Sequence, residues 1–343
     1  MAGGVEIAWL AALAADPEGP SRELAKRLAA AGVTSEASRH ALSELSAAGL
    51  ISGPPTAPRI TAAGAAALLD AYAEIAAALD ASPARAGQEA CPSLPWLTRI
   101  ETEWIEALSF NYRVAVERLA SLLPAPLEPE VHRGSGWVQV LVSSLRELRP
   151  QGLPSPFGVC FYQVSYRAAV RFRELEGGWR RGGYFLSSQT NDPLMRAIGN
   201  RLTEFAFHDF GAADIVMVRQ GATLSVGVDP RDGSPGRLAA VVDSTPLDGP
   251  PEGSRWTSLA EVQEPLVDCF DAFGVDEESG YLYTLTIDRG PWNARFVRPV
   301  DLYCELLTEG PLGGFSALDS VLHVERCPYR WRPLRRERWQ ARP

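Results

Sequence analysis

Lysine is almost missing from this chain: of its 33 basic residues only Lys26 is a lysine, and the others are arginines. Beyond residue 26 there is therefore no side-chain amine to form a Schiff base. Histidine is scarce as well, and His40, His132, His208 and His323 are too scattered to suggest a metal cluster. The five cysteines, Cys91, Cys160, Cys269, Cys304 and Cys327, are odd in number and widely spaced, with no CxxC pair. That fits neither a disulfide framework nor a zinc ribbon, so they read as reduced and mostly structural. The sequence also lacks GxGxxG, a Walker loop, a GxSxG elbow and HExxH. No metal and no cofactor is expected. The apolar run from Ile7 to Ala15 stops at Asp16, with no basic region before it, and is too short for a membrane span or a secretory signal. A cytoplasmic protein with no membrane partner is expected.

The composition itself is ordinary: 343 residues, 46% hydrophobic and 22% charged, enough apolar mass for a folded chain and long enough for two domains. A net charge of -9 argues against a surface that grips nucleic acid all over, so any such contact must be local.

The composition changes along the chain. Residues 1–80 are alanine-rich, nearly free of aromatics and patterned for helices; from Trp96 onward aromatic residues and valine alternate with polar ones between Gly and Pro turns. The stretch between, ASPARAGQEACPSLP, reads as a linker over 81–95. The expected fold class is α+β: an all-helical amino-terminal domain over 1–80 and an antiparallel β-barrel or cone over 96–343.

In the first domain Val5 to Ala15 is a predicted helix, Ser21 caps a second, and Thr34 caps a third closed by Gly49 with Ala37, Ala41, Leu42 and Leu45 on its inner side. A Pro-rich bend and the run RITAAGAAALL follow. The order, and SRELAKRLAAAGVTSEASRHALSELSAAGLI in particular, resembles the winged-helix (MarR-like) bacterial regulators. That resemblance implies double-stranded DNA as a partner, with Ser35, Ser38 and Arg39 at base edges and Arg22, Lys26 and Arg27 at phosphates. Residues 1–90 nevertheless carry 6 basic against 10 acidic side chains, a poor balance for neutralising phosphates, so dimerisation or protein docking stays open for this domain.

In the second domain the apolar positions Ile105, Leu108, Tyr112, Val116 and Leu119 predict a helix over 104–123. The segments GWVQVLV, FYQVSYRAAVRF and GGYFLSSQT predict strands, as do five later runs ending in SVLHVERCPYRWRPL. On FYQVSYRAAVRF, Gln163, Ser165 and Arg167 share one face by two-residue alternation, and Tyr162, Val164 and Tyr166 share the other. Arg167 is suited to hold a carboxylate bidentately, with a structural glutamate as its alternative partner. Tyr184, Glu204 and His208 are further candidates, the last two spaced four apart where an acid and an imidazole meet on a helix. Trp137, Trp179, Trp292 and Phe296 suit a pocket wall, although aromatics at strand spacing are more often core than cage. Seven arginines crowd the end of the chain from Arg326 to Arg342, suited to phosphates, to an acidic partner, or to offsetting the acidic body.

The ordered set from the LLP segment through GWVQVLV, GGYFLSSQTNDPLMRAIGNRL and IDRGPWNARFVRPVD to DSVLHVERCPYRWRPL resembles the DUF2071 (YqjF-like) family of the acetoacetate decarboxylase-like superfamily. The resemblance implies a β-barrel cone with a cavity for small organic acids or apolar ligands. The superfamily's Gly-Arg-Glu and Gly-x-Pro-Lys-Lys pattern, laid with its arginine on Arg201, puts His208 and Asp209 where the lysines would stand, so Schiff-base decarboxylation is excluded. Three readings remain. In the first, a ligand-responsive transcriptional regulator binds a small molecule in the barrel and DNA through winged helices, in a homodimer. In the second, a lysine-free enzyme carries out hydration, dehydration or cyclisation with Arg167, Glu204 and His208. In the third, a binding module retains a vestigial winged helix.

Overall fold

Chain segments too apolar on both sides to face water have to be walled in on both sides, and the architecture follows from that demand. The computed structural model describes residues 10, 34–54, 58–64, 66–67, 100–150, 159–174, 177–192, 195–196, 200, 210–231, 233–277, 280–332 and 334–339.

In the amino-terminal part, helix α1 (Ser35–Ala47) begins at Thr34, whose Oγ1 accepts from the Ala37 amide at 3.1 Å. It ends where Gly49 turns left-handed (φ +67°), so that the Gly49 and Leu50 amides reach back to Ser46 and Leu45 at 3.0 and 2.9 Å. This closes the helix's free carbonyls. Ser38, Ala41 and Leu45 form its buried stripe. Strands β1 (Ile51–Ser52) and β2 (Arg59–Ile60) then pair antiparallel. Thr61 Oγ1 ties the exit back by donating to the Gly49 and Leu50 carbonyls and accepting from the Gly64 amide. The region is therefore not all helical, because the Pro-rich bend carries a two-stranded sheet.

The remaining strands are β3 (Ile100–Val114), β4 (Glu128–Pro129), β5 (Gly136–Pro150), β6 (Val159–Arg173), β7 (Trp179–Thr190), β8 (Phe210–Gln220), β9 (Thr223–Pro230), β10 (Leu238–Asp243), β11 (Asp271–Asp276), β12 (Tyr281–Arg289), β13 (Asn293–Cys304), β14 (Ser316–Trp331) and β15 (Arg335–Arg338). Short helices α2 (Val116–Ala120), α3 (Leu259–Val262) and α4 (Glu305–Thr308) sit in the connections. The strands form one 13-stranded sheet, antiparallel except where β7 runs parallel to β8 and to β11.

The pairings close two rings. One runs β3-β5-β6-β7-β11-β12-β14 and closes through the β12–β14 pairing; the other runs β3-β5-β6-β7-β8-β9-β10-β13-β14. The five strands β14, β3, β5, β6 and β7 are common to both. One apolar cluster joins β8, β9, β10 and β13 to one face of that common wall through Phe110, Val140, Val164 and Tyr166. A second joins β11 and β12 to the opposite face through Ala107, Leu141 and Phe161.

The common wall explains one correction. Residues 104–114 are strand β3 and not a helix; only Val116–Ala120 are helical in the predicted segment. Leu108, Phe110, Tyr112 and Val114 face one core in strict alternation, while Trp104 and Ala107 face the other. Apolar residues demanded on both faces mimic a helical spacing when only some of them are counted.

Among the described residues, arginines near the end of the chain make contacts within the chain. Arg326 pairs with Glu103 at 2.9 Å and Arg332 with Asp288 at 3.4 Å, Arg336 and Arg338 lie over the Tyr281 ring, and β15 pairs with β12. No helix among the described residues is long and apolar enough to cross a membrane.

Candidate functional site

Inside the seven-stranded ring lies a cavity of about 70 Å³. That is small beside the several hundred Å³ of a drug-sized pocket, so its occupant has few non-hydrogen atoms. Strand β6 supplies its polar wall: Gln163, Ser165 and Arg167 line the cavity, whereas Val164 and Tyr166 enter the opposite core. Strand β12 supplies the other polar group by the same alternation, with Leu285, Ile287 and Arg289 on the cavity side. The rest is largely aromatic. Trp104 sits 5.1 Å from Trp292 and 5.3 Å from Tyr329 between ring centroids, and its Nε1 donates to the Tyr329 hydroxyl at 3.1 Å.

Among the described residues the cavity wall holds two guanidinium groups and no carboxylate. Arg167, 6% exposed, donates to Gln139 Oε1 and to the Leu266 carbonyl. Arg289 donates to the Gly290 and Val267 carbonyls and lies 4.7 Å from the Trp292 ring centroid and 4.8 Å from that of Phe270. Among the described residues neither guanidinium has an acidic partner within ion-pair distance. Burial and, to a lesser degree, the neighbouring Arg167 charge push Arg289 down to about 10. Desolvation raises the Cys269 thiol on the same wall, against the pull of both arginines. A buried cation such as Arg167, with no ion-paired acid among the described residues, is costly, and a small anion would relieve that cost.

Backbone room for Arg167 comes from Gly183 on β7: a Cβ there would stand 2.3 Å from Arg167 Cδ. Any larger residue at 183 displaces the side chain.

Other expected site residues lie elsewhere. Trp137 is fully buried in the same core but off the cavity wall, 4.3 Å from Trp256, whose other neighbour is the stacked His132 ring at 4.5 Å. Its indole is packing and not pocket lining. Tyr184 faces the opposite core, because Phe185, its neighbour on β7, takes the cavity side. Phe296 is core, and Trp179 is 46% exposed with Arg171 stacked 4.3 Å from its ring. Trp292 does line the cavity. Ser38 is buried with Ala41 and Leu45 and so is turned away from any base edge, while Ser35 and Arg39 are exposed. Glu204, His208, Arg201, Arg22, Lys26 and Arg27 lie outside the described residues. Among the described residues no cluster of His, Cys, Asp or Glu is fit to hold a metal ion.

Sequence reasoning missed Arg289 and the buried amides behind Arg167. The two-residue alternation of Leu285, Ile287 and Arg289 was a readable signal; the cross-strand partners of Arg167 left none.

At the edge of this core, Glu261 at the start of α3 accepts from the Thr257 amide and hydroxyl and pairs with Arg133 at 2.6 Å. The Thr257 bonds chiefly, with Arg133 and His132 adding, hold its carboxyl at about 2 instead of the usual 4.5. A depressed folded value contributes stability that is present above pH 4.5 and lost as pH falls toward 2. Glu261→Gln is expected to flatten that acid-side decline. Urea unfolding at pH 6 and pH 3 checks it: the wild type loses more stability between the two than the variant, and equal losses refute the assignment.

No curated protein matches the chain at a significant level. Among solved structures, an acetoacetate decarboxylase-like enzyme from Sphingomonas wittichii RW1 is similar, with a TM-score of 0.48 and 12% identity over 71% of this chain and 94% of that one. Acetoacetate decarboxylase from Legionella pneumophila gives 0.45 and 15% over 73% and 90%, and the enduracididine biosynthesis enzyme MppR with bound HEPES gives 0.48 and 14% over 75% and 98%. Likenesses this distant assign neither activity nor substrate. The family model described as "Uncharacterized conserved protein" matches residues 101–325, nearly the whole span of the two rings, and on that match the chain belongs to the DUF2071 family.

Proposed function

We propose that the barrel binds a small carboxylic acid in the β6–β12 cavity and transforms it as a lysine-free enzyme of the acetoacetate decarboxylase-like kind. The observation that carries this reading is the pair of guanidinium groups on the cavity wall, Arg167 buried and Arg289 half-buried, with no ion-paired acid among the described residues. Arg167 anchors the carboxylate through its planar fork. Arg289, backed by the Trp292 ring, is suited to stabilise negative charge developing on a neighbouring carbonyl oxygen. The chemistry that such a pair favours is hydration, dehydration or cyclisation next to a carbonyl, with Glu204 or His208 as the proton-transfer group.

The test is proton NMR in D₂O of the full-length protein with acetate, pyruvate and oxaloacetate. Saturation transfer to at least one acid, with α-proton exchange or turnover of an oxo acid, supports the reading. Transfer without any chemistry leaves a binding module, and no transfer to any of the three overturns the anion cavity.

A second reading, the ligand-responsive regulator, is favoured by α1 and the β1–β2 pair that follows it, with Ser35 and Arg39 exposed. In that reading, ligand in the barrel biases winged helices in a homodimer on double-stranded DNA. Fluorescence anisotropy with the DNA upstream of the protein's own gene, across a salt series and against scrambled DNA, decides it.

A further inference from the structure

Four polar side chains stand in one cross-strand row on the cavity face of the common wall. Ser320 on β14 pairs in register with Asn111 on β3, Asn111 with Gln139 on β5, and Gln139 with Arg167 on β6. Ser109 stands one step along β3 on the same face. All five are buried, at 1%, 0%, 2%, 6% and 0% exposure for Ser320, Asn111, Gln139, Arg167 and Ser109.

Their hydrogen bonds run in one direction. Asn111 Nδ2 donates to Ser320 Oγ at 3.3 Å and to the Ser109 carbonyl at 3.4 Å. Asn111 Oδ1 accepts from Ser109 Oγ at 2.9 Å and from Gln139 Nε2 at 3.1 Å, and Gln139 Nε2 also donates to Ser109 Oγ at 3.2 Å. With both acceptors on that side claiming its NH₂ group, the Gln139 amide has one orientation left, and Oε1 faces Arg167. Turned over, it would aim a donor at a guanidinium that has only donors. Every member of the row apart from Arg167 is neutral. The row therefore holds the guanidinium in place without cancelling its charge.

We propose that Gln139, oriented by Asn111 and Ser109, is the positioning residue that keeps the cavity cationic and so sets its preference for anions. The proposal rests on the anion-cavity reading above. A carboxylate at position 139 would fit the same space, pair with Arg167 and remove the charge that the ligand needs, whereas an amide orients Arg167 and leaves the charge for the ligand.

The test measures oxalate binding to the full-length protein by calorimetry from pH 5 to pH 8. Oxalate is a compact dianion suited to a small cavity with two guanidinium groups. For Gln139→Glu the dissociation constant is expected to rise at least tenfold across this range, because a carboxylate paired with Arg167 stays ionised at pH 5. Gln139→Met, which lacks the acceptor and adds no charge, is expected to weaken binding a fewfold with no pH dependence beyond that of the wild type. Equal effects of the two variants, or none, overturn the proposal. Should Gln139→Glu fail to fold, Asn111→Ser decides: it never touches Arg167, and only a positioning row makes it weaken oxalate binding in a protein whose melting profile is intact. Wild-type protein that does not bind oxalate at all is a different result, and overturns the anion-cavity reading itself.

Discussion

Arg167→Met is expected to weaken small-anion binding by roughly ten- to a hundredfold and at the same time raise the melting temperature of the ligand-free protein. Two costs oppose each other in the variant. Removing the guanidinium leaves Gln139 Oε1 without its donor and the Leu266 carbonyl without this longer bond of 3.3 Å, a penalty of about 1–3 kcal/mol for a buried acceptor. Removing it also abolishes an uncompensated buried cation, for which the desolvation cost is several kcal/mol, and lifts the repulsion between Arg167 and Arg289. The second effect is the larger, so the ligand-free protein gains on the order of 1–3 kcal/mol, or roughly 2–10 °C for a domain of this size. Binding moves the other way. A charge-assisted contact contributes about 1.5–3 kcal/mol, which corresponds to a loss of roughly ten- to a hundredfold in affinity. Differential scanning calorimetry and oxalate titration of the same sample read both signs. A melting temperature that falls, together with unchanged oxalate affinity, would make Arg167 a structural residue and not an anchor.

Trp137→Ala is expected to do the reverse. The indole is fully buried between the common wall and Trp256, off the cavity wall. Truncation leaves a cavity and costs about 3–5 kcal/mol, a fall in melting temperature on the order of 10 °C. The folded fraction is expected to keep its oxalate affinity within a fewfold, because no cavity-lining group is lost. Chemical unfolding together with titration below the new melting point checks it. Loss of binding with little loss of stability would restore Trp137 to the pocket wall. Taken together, the two variants separate stability from recognition in opposite directions on adjacent strands.

How much of this was legible depends on where the information lies along the chain. On β6 the alternation of Gln163, Ser165 and Arg167 with Tyr162, Val164 and Tyr166 is local, and period two places the first set on one wall. On β3 the same rule was available in Leu108, Phe110, Tyr112 and Val114, yet Ile105 and Val116 drew the reading toward a helix. The physical reason is the double wall, which leaves few polar residues to mark a solvent face. The N-cap at Thr34 and the left-handed Gly49 are nearest-neighbour effects and were readable, as was the closing turn of α1. The polar row was not, since it depends on the register between β14, β3, β5 and β6, which no local pattern encodes. Ser38 was misread because a small polar residue on an alanine-rich helix carries no sign of which side is covered.

Along the common wall, consecutive residues answer to different chambers. On β6, Arg167 lines the cavity and Tyr166 packs in the other ring, with one peptide bond between them. The strand is thus written in two interleaved texts, and a substitution edits only one of them. A single-residue deletion edits both: it would send Gln163, Ser165 and Arg167 into an aliphatic core and deliver Val164 and Tyr166 to the cavity. Point changes can retune this cavity while its partner chamber stays as it is, but a change in strand length cannot.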